Sequence, residues 1–149
     1  MKRGLLLLLP FLAVFASQVC AQSGAADAVV GTWLVEDGKA KVKIYNKGEK
    51  YYGKIVWLRE PHDENGEARM DRENPEEKLR SRPLVGLVML RDFVYEGDNV
   101  WEDGDIYDPK NGKTYSCEMT LSEDGRTLDV RGYIGFSFIG RSQTWTRAD

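Results

Sequence analysis

Across residues 39–44 the chain alternates without a break. Lys39, Lys41 and Lys43 fall on one side of an extended backbone, and Ala40, Val42 and Ile44 fall on the other. A repeat of two residues is that of a strand with one dry face and one wet face. The same rhythm returns at 114–121, where Tyr115, Cys117, Met119 and Leu121 oppose Thr114, Ser116, Glu118 and Thr120. At 128–134, Leu128, Val130, Gly132 and Ile134 alternate with Asp129, Arg131 and Tyr133. Helical periodicity is almost absent. Further strands are expected at 29–35, 51–58, 84–90, 100–107 and 142–147, which brings the total to about eight. At that number a sheet closes into a barrel whose interior is filled by side chains or by one small ligand.

Asn46-Lys47-Gly48, Asn111-Gly112 and Asp124-Gly125 punctuate the strands with residue types that tolerate positive φ, so neighbouring strands are joined by tight turns and run antiparallel. The expected fold is therefore all-β, a single antiparallel up-and-down barrel. One connection breaks this rhythm, because residues 60–83 are densely charged and show no strand pattern. Within them Asn74-Pro75-Glu76-Glu77 carries a helix start of one or two turns, with Asn as N-cap, Pro at the first helical position and acids in the first turn. A loop of this length is either a solvated excursion or a lid or partner-binding element.

The N-terminus decides the expected compartment. Lys2 and Arg3 precede an apolar run at 5–15, which has the order of a secretory signal and is well short of the roughly 20 residues a spanning helix needs. Cleavage is expected after Val19-Cys20-Ala21, so residues 1–21 form the signal peptide and 22–149 the single mature domain, periplasmic or secreted. Lipid attachment at Cys20 is disfavoured, because Val19 stands where that route takes Gly, Ala or Ser. Removal of 1–21 from the 149-residue chain leaves 128 residues and takes away two cations and no acid, so the formal charge moves from −3 to −5. A mildly acidic domain gives no reason to expect nucleic acid as a partner, and no membrane span is expected. Cys117 is then the one remaining cysteine, which excludes an internal disulfide.

The inventory for catalysis is thin. His62 is the single histidine and lies in the charged loop. Cys117 shares a strand face with Tyr115 and Met119 and reads as a small buried apolar residue. No zinc spacing is present, Asp63-Glu64-Asn65-Gly66 lacks the ligand spacing of a calcium loop, and no cofactor is implied. The best catalytic candidates are Glu102, Asp103, Asp105 and Asp108, since two carboxylates in one cleft can divide acid and base roles. The competing reading makes Asp103-Gly104-Asp105 a bulge and Asp108-Pro109 a turn, and it is preferred because Asp favours such positions. Aromatic residues are better represented, and a pocket in a barrel mouth would be lined by rings, aliphatics and a few orienting polar groups. Tyr52, Trp57, Arg82, Trp101 and Tyr107 are the expected ligand-lining residues.

Gly31-Thr32-Trp33, taken with Arg141 and Arg147 near the end of the chain, resembles the lipocalin and wider calycin pattern, in which Gly-x-Trp near the first strand packs beneath the barrel against a late arginine. That resemblance gives Gly31, Trp33, Arg141 and Arg147 structural roles. Arg147 is the preferred partner of Trp33, because it ends the last strand. A more specific resemblance lies in Gly53-Lys54-Ile55-Val56-Trp57-Leu58, the run from Asp71 to Pro75, and Arg80-Ser81-Arg82-Pro83-Leu84-Val85-Gly86. It continues through Ile106-Tyr107-Asp108-Pro109-Lys110-Asn111-Gly112-Lys113-Thr114-Tyr115, Arg131-Gly132-Tyr133-Ile134-Gly135 and Gly140-Arg141-Ser142-Gln143-Thr144-Trp145-Thr146-Arg147. Together these resemble the exported bacterial family known as domain of unknown function 2147 (DUF2147), over about 31–147. The resemblance implies a lipocalin-like barrel and an exported bacterial setting, and it implies no activity.

Three functions from different classes fit this sequence. The leading one is a binding module for a small apolar or amphipathic ligand in the bacterial cell envelope. The alternatives are a factor for protein interaction or envelope maintenance that meets an envelope partner through the 60–83 loop, and a carboxylate-dependent hydrolase. Catalysis is the minor reading.

Overall fold

The computed structural model describes residues 24–135 and 140–149, so the expected signal segment 1–21 lies outside the described residues. Eight strands form one closed antiparallel barrel in chain order. They are β1 (Gly31–Leu34), β2 (Ala40–Lys47), β3 (Lys50–Leu58), β4 (Val88–Gly97), β5 (Val100–Asp108), β6 (Lys113–Leu121), β7 (Thr127–Tyr133) and β8 (Gly140–Arg147). Several boundaries differ from expectation, among them those of β1 and β4. Residues 27–29 form a 3-10 turn rather than the start of β1. The fourth strand begins at Val88 rather than at 84 and runs on to Gly97, where Asp98 and Asn99, both at positive φ, make a two-residue hairpin turn into β5. Both central residues of such a turn need the left-handed region, which Asp and Asn reach at modest cost.

Alternation builds the core. Val42 and Ile44 are fully buried while Lys43 between them is exposed, and Cys117, Met119 and Leu121 of β6 are buried in the same way. Register shifts in β3, β4 and β5 interrupt the phase. In β3 the register slips between Lys41 and Val42 of β2, so Val56 and Trp57 both face outward and Leu58 turns in. One slip in β4 coincides with Asp92 (φ 62°) and one in β5 with Asp103 (φ 58°). An extra residue on one strand is what a β-bulge is, and it sharpens the local bend. Glu102 and Asp103 are consequently both exposed and Gly104 is buried.

One end of the barrel is solid. Trp33, Phe93, Trp101 and Trp145 pack there with Ile44 and Leu128, all essentially without exposure. The 3-10 turn Asp27–Val29 closes this end as a plug, held by indole donors: Trp33 Nε1 to the Val29 carbonyl at 2.9 Å and Trp101 Nε1 to that of Ala26 at 3.1 Å. Tyr51 donates its hydroxyl to Asp27 at 2.7 Å, and burial together with that carboxylate pushes its pKa up to about 12. Arg147 lies 4.3 Å from the Trp33 ring and donates to the carbonyls of Ala28 (2.7 Å), Val30 (3.1 Å) and Gly125 (2.8 Å). Gly31 is required beside this guanidinium. Its φ is +147°, and a Cβ there would sit 2.5 Å from Arg147 Nη1.

The barrel closes where β1 meets β8, over a register that runs only from Trp33 opposite Arg147 to Leu34 opposite Thr146. The β7 to β8 register, by contrast, runs the full length from Thr127 to Tyr133. No helix among the described residues is long and apolar enough to cross a membrane.

Candidate functional site

The other end of the barrel is open. A cavity of about 1160 Å³ enters it from solvent, with Trp145 and Val130 at its floor. Its walls carry Val35, Ala40, Ile55, Leu58, Met89 and Ile106, of which Val35, Met89 and Ile106 also pack against the solid core. Small-molecule sites usually span roughly 300–1,000 Å³ and are mainly apolar with a few placed polar groups. At about 1160 Å³ this cavity lies a little above that range, and it has that chemistry. A second depression of about 240 Å³ over the charged loop is lined by Asp63, Glu64, Asn65, Arg69 and Arg72 and has no apolar wall.

Part of the mouth is built by the 60–83 segment, which contributes Arg69, Met70 and Arg72, with Leu84 beside them. The segment is ordered by short-range pairing, with bridges between His62 and Ala68 and between Met70 and Pro83. Arg72 pairs with Asp63 at 2.8 Å and Arg69 with Glu60 at 3.2 Å. The helix expected at Asn74 is only a 3-10 turn, Glu77–Leu79, whose N-cap is Glu76. Asn74 does not cap it, because its side chain is buried and engaged elsewhere. Its Oδ1 accepts from the Glu76 N–H at 2.8 Å, and its Nδ2 donates to Asp71 Oδ2 at 2.8 Å.

Asp71 fastens this segment to the barrel. It is fully buried, and its carboxylate accepts from the Tyr107 hydroxyl (2.6 Å), Asn74 (2.8 Å) and Arg82 Nε (2.9 Å), with Arg82 Nη2 also at 2.8 Å. Burial opposes the charge, but these donors and the guanidinium outweigh it and hold the carboxyl below the usual range. Tyr107 is pushed up to about 12 by burial and by donating to that carboxylate. On the same side the Glu73 carbonyl lies so close to Gly112 that the β5–β6 turn has no room for a Cβ there.

Of the expected lining residues, the structure brings Tyr107 and Arg82 together on Asp71, and Tyr107 also borders the cavity. Trp101 is in the solid core against Tyr51 and Tyr95. Tyr52 and Trp57 stand on the outer face. Tyr52 donates to Asp92 at 2.9 Å, and Trp57 is 41% exposed beneath Lys41, whose Nζ is 5.3 Å from the ring. Arg141, considered above as an alternative partner for Trp33, instead lines the mouth. Of the four acids only Asp108 borders the cavity, and its Oδ1 accepts from the Lys110 N–H to cap a turn. Cys117 is buried, which raises its thiol pKa and removes the thiolate a nucleophile needs. Sequence reasoning missed Val35, Ala40 and Gln143. The alternation that places Val42 inward also places Ala40 inward, and the same count from Trp145 reaches Gln143 and then Arg141.

Residues 31–147 match the family described as an uncharacterized protein conserved in bacteria, DUF2147. The chain belongs to the DUF2147 family. The matched span begins at Gly31 and ends at Arg147, the two residues that meet across the closed end. Among solved structures, this DUF2147 chain is similar to HP1028 from the human pathogen Helicobacter pylori, described as belonging to the lipocalin family. The TM-score is 0.72 at 24% identity, over 81% of this chain and 83% of that one. This likeness shows a lipocalin-like fold. No curated protein matches the chain.

Proposed function

We propose that this DUF2147 protein is a binding module that holds a small apolar or amphipathic molecule in the open half of its barrel, in the bacterial cell envelope. The observation that carries the reading is the cavity of about 1160 Å³, apolar in its walls, set above a packed floor and open to solvent at one end. Eight-stranded barrels of this kind are just wide enough to enclose one small ligand, and burial of apolar ligand surface is worth roughly 25 cal/mol per Å² before the costs of association. The envelope setting rests on the basic and apolar start of the chain, with residues 22–149 as the working domain once 1–21 are removed. N-terminal sequencing of the exported material should begin at Gln22, and a chain that retains Met1 would overturn the envelope setting.

The test of binding uses the neutral fluorescent probe N-phenyl-1-naphthylamine on the mature domain. Its emission should rise and saturate at one probe per barrel. Ala40→Phe, which fills the cavity from the inner face of β2, should weaken binding at least about tenfold while the domain stays folded by circular dichroism. No saturable signal, or a signal indifferent to Ala40→Phe, removes the reading.

A further inference from the structure

The inner face of β8 is graded in polarity from floor to mouth. Register fixes which residues share it: Leu121, Leu128 and Trp145 lie side by side on β6, β7 and β8, then Met119, Val130 and Gln143, then Cys117, Gly132 and Arg141. Leu121, Met119 and Cys117 are buried, so Trp145, Gln143 and Arg141 follow one another up the inner wall. The Trp145 indole donates to Gln143 Oε1 at 3.1 Å, which leaves the Gln143 NH2 as a donor without a partner among the described residues. Arg141 makes no hydrogen bond or ion pair among the described residues.

The acids that line the same cavity each have another partner. Asp37 faces Lys39 at 3.9 Å and Lys110 at 3.4 Å, Glu60 faces Arg69, and Asp63 faces Arg72. Asp108 caps its turn, and Glu36 accepts from the Thr144 N–H at 3.5 Å. The mouth therefore presents a guanidinium on the inner wall with its donors open, at the top of an apolar well. A planar fork of N–H donors matches a carboxylate or phosphate oxyanion, and few other head groups.

We infer that the cavity takes an anionic amphiphile tail-first, with its oxyanion head on Arg141, its neck beside Gln143 and its tail over Trp145. This inference deepens the cavity reading and rests on it. The test holds the tail constant and varies the head: laurate, dodecyl phosphate, dodecanol and dodecyltrimethylammonium each compete with N-phenyl-1-naphthylamine on the mature domain. The two anions should displace the probe at lower concentration than the alcohol, and the cation should do so least well. Whichever anion is preferred names the head group as carboxylate or phosphate. Arg141→Gln should weaken the anions about 10- to 100-fold, the loss expected for charge-assisted hydrogen bonds, and leave dodecanol unchanged. Arg141→Lys should retain part of the preference. Lys43→Gln, which removes a charge from the outer face, should alter none of the four. Equal displacement by all four heads, or anion affinity indifferent to Arg141→Gln, overturns the inference and leaves the cavity reading standing. If neither the probe nor any dodecyl compound binds, both fall.

Discussion

The two late arginines show how a few ångströms decide a residue's work. Arg147 lies on the outside of the Trp33 indole, and three of its donor contacts end on carbonyls of the plug and the β6–β7 turn. Trp33 itself holds the same plug through Val29. Trp33→Ala should cost about 3–5 kcal/mol, the range for emptying a buried aromatic site. Arg147→Ala should cost on the order of 1–3 kcal/mol through stranded acceptors and a lost cation–π contact. Since both residues fasten one segment, the double variant should fall short of the sum by more than about 0.5 kcal/mol in urea unfolding, and strict additivity would break the link. Arg141→Ala, at an exposed position, should change stability by no more than about 0.5 kcal/mol. The sequence could place both arginines near the barrel ends, but it lacked the register that sends one beneath the floor and the other into the mouth.

At the scale of elements, alternation was legible and so was the bulge at Asp103-Gly104-Asp105, but the interruption in β3 was not. β2, β6 and β7 follow the period-two pattern closely enough that Val42, Ile44, Met119 and Leu121 are inward as their spacing demands. Trp57 shows why the candidate site was harder to read. Counting by twos from Ile55 puts its ring inside, but one extra residue at the β3 bulge rotates it out and Leu58 in. The β3 bulge leaves no such trace, because Ile55, Val56 and Trp57 include none of the Asp or Gly residues that mark the bulge at Asp103. The 60–83 segment poses the reverse problem: its charges are conspicuous, yet the element depends on one buried acid that sequence gives no reason to single out. Asp71 has a folded-state pKa below its unfolded value of about 3.9. Its stabilisation is therefore complete above that pH and is lost as the pH falls through the folded value. Asp71→Asn, which turns donors against Tyr107, Asn74 and Arg82, should cost on the order of 1–3 kcal/mol at neutral pH. The gap between the two proteins in urea unfolding should narrow from about pH 6 to about pH 3, and a constant gap would show that the carboxylate is not the fastening.

For the whole molecule, the division into a solid half and an open half follows from where the large side chains fall. Three tryptophans and Phe93 fill one end, while the strand ends beyond Ile106 and Gln143 carry smaller or polar groups and leave space. Cohesion is uneven around the circumference as well, since β1 and β8 share so short a register. Native-state hydrogen exchange should therefore find the Ala148 amide, bonded to Thr32 across that seam at 2.8 Å, opening at lower free energy than amides between β5 and β6. Equal protection around the barrel would contradict this. The seam also joins the first strand made to the last, so a chain synthesised from its N-terminus holds β1 without its second neighbour until Arg147 has emerged. During that wait β1 is a sheet edge that another chain could pair with, and its length of four residues makes it a poor template. The brevity that weakens the finished barrel is what keeps the unfinished one from sticking to its neighbours.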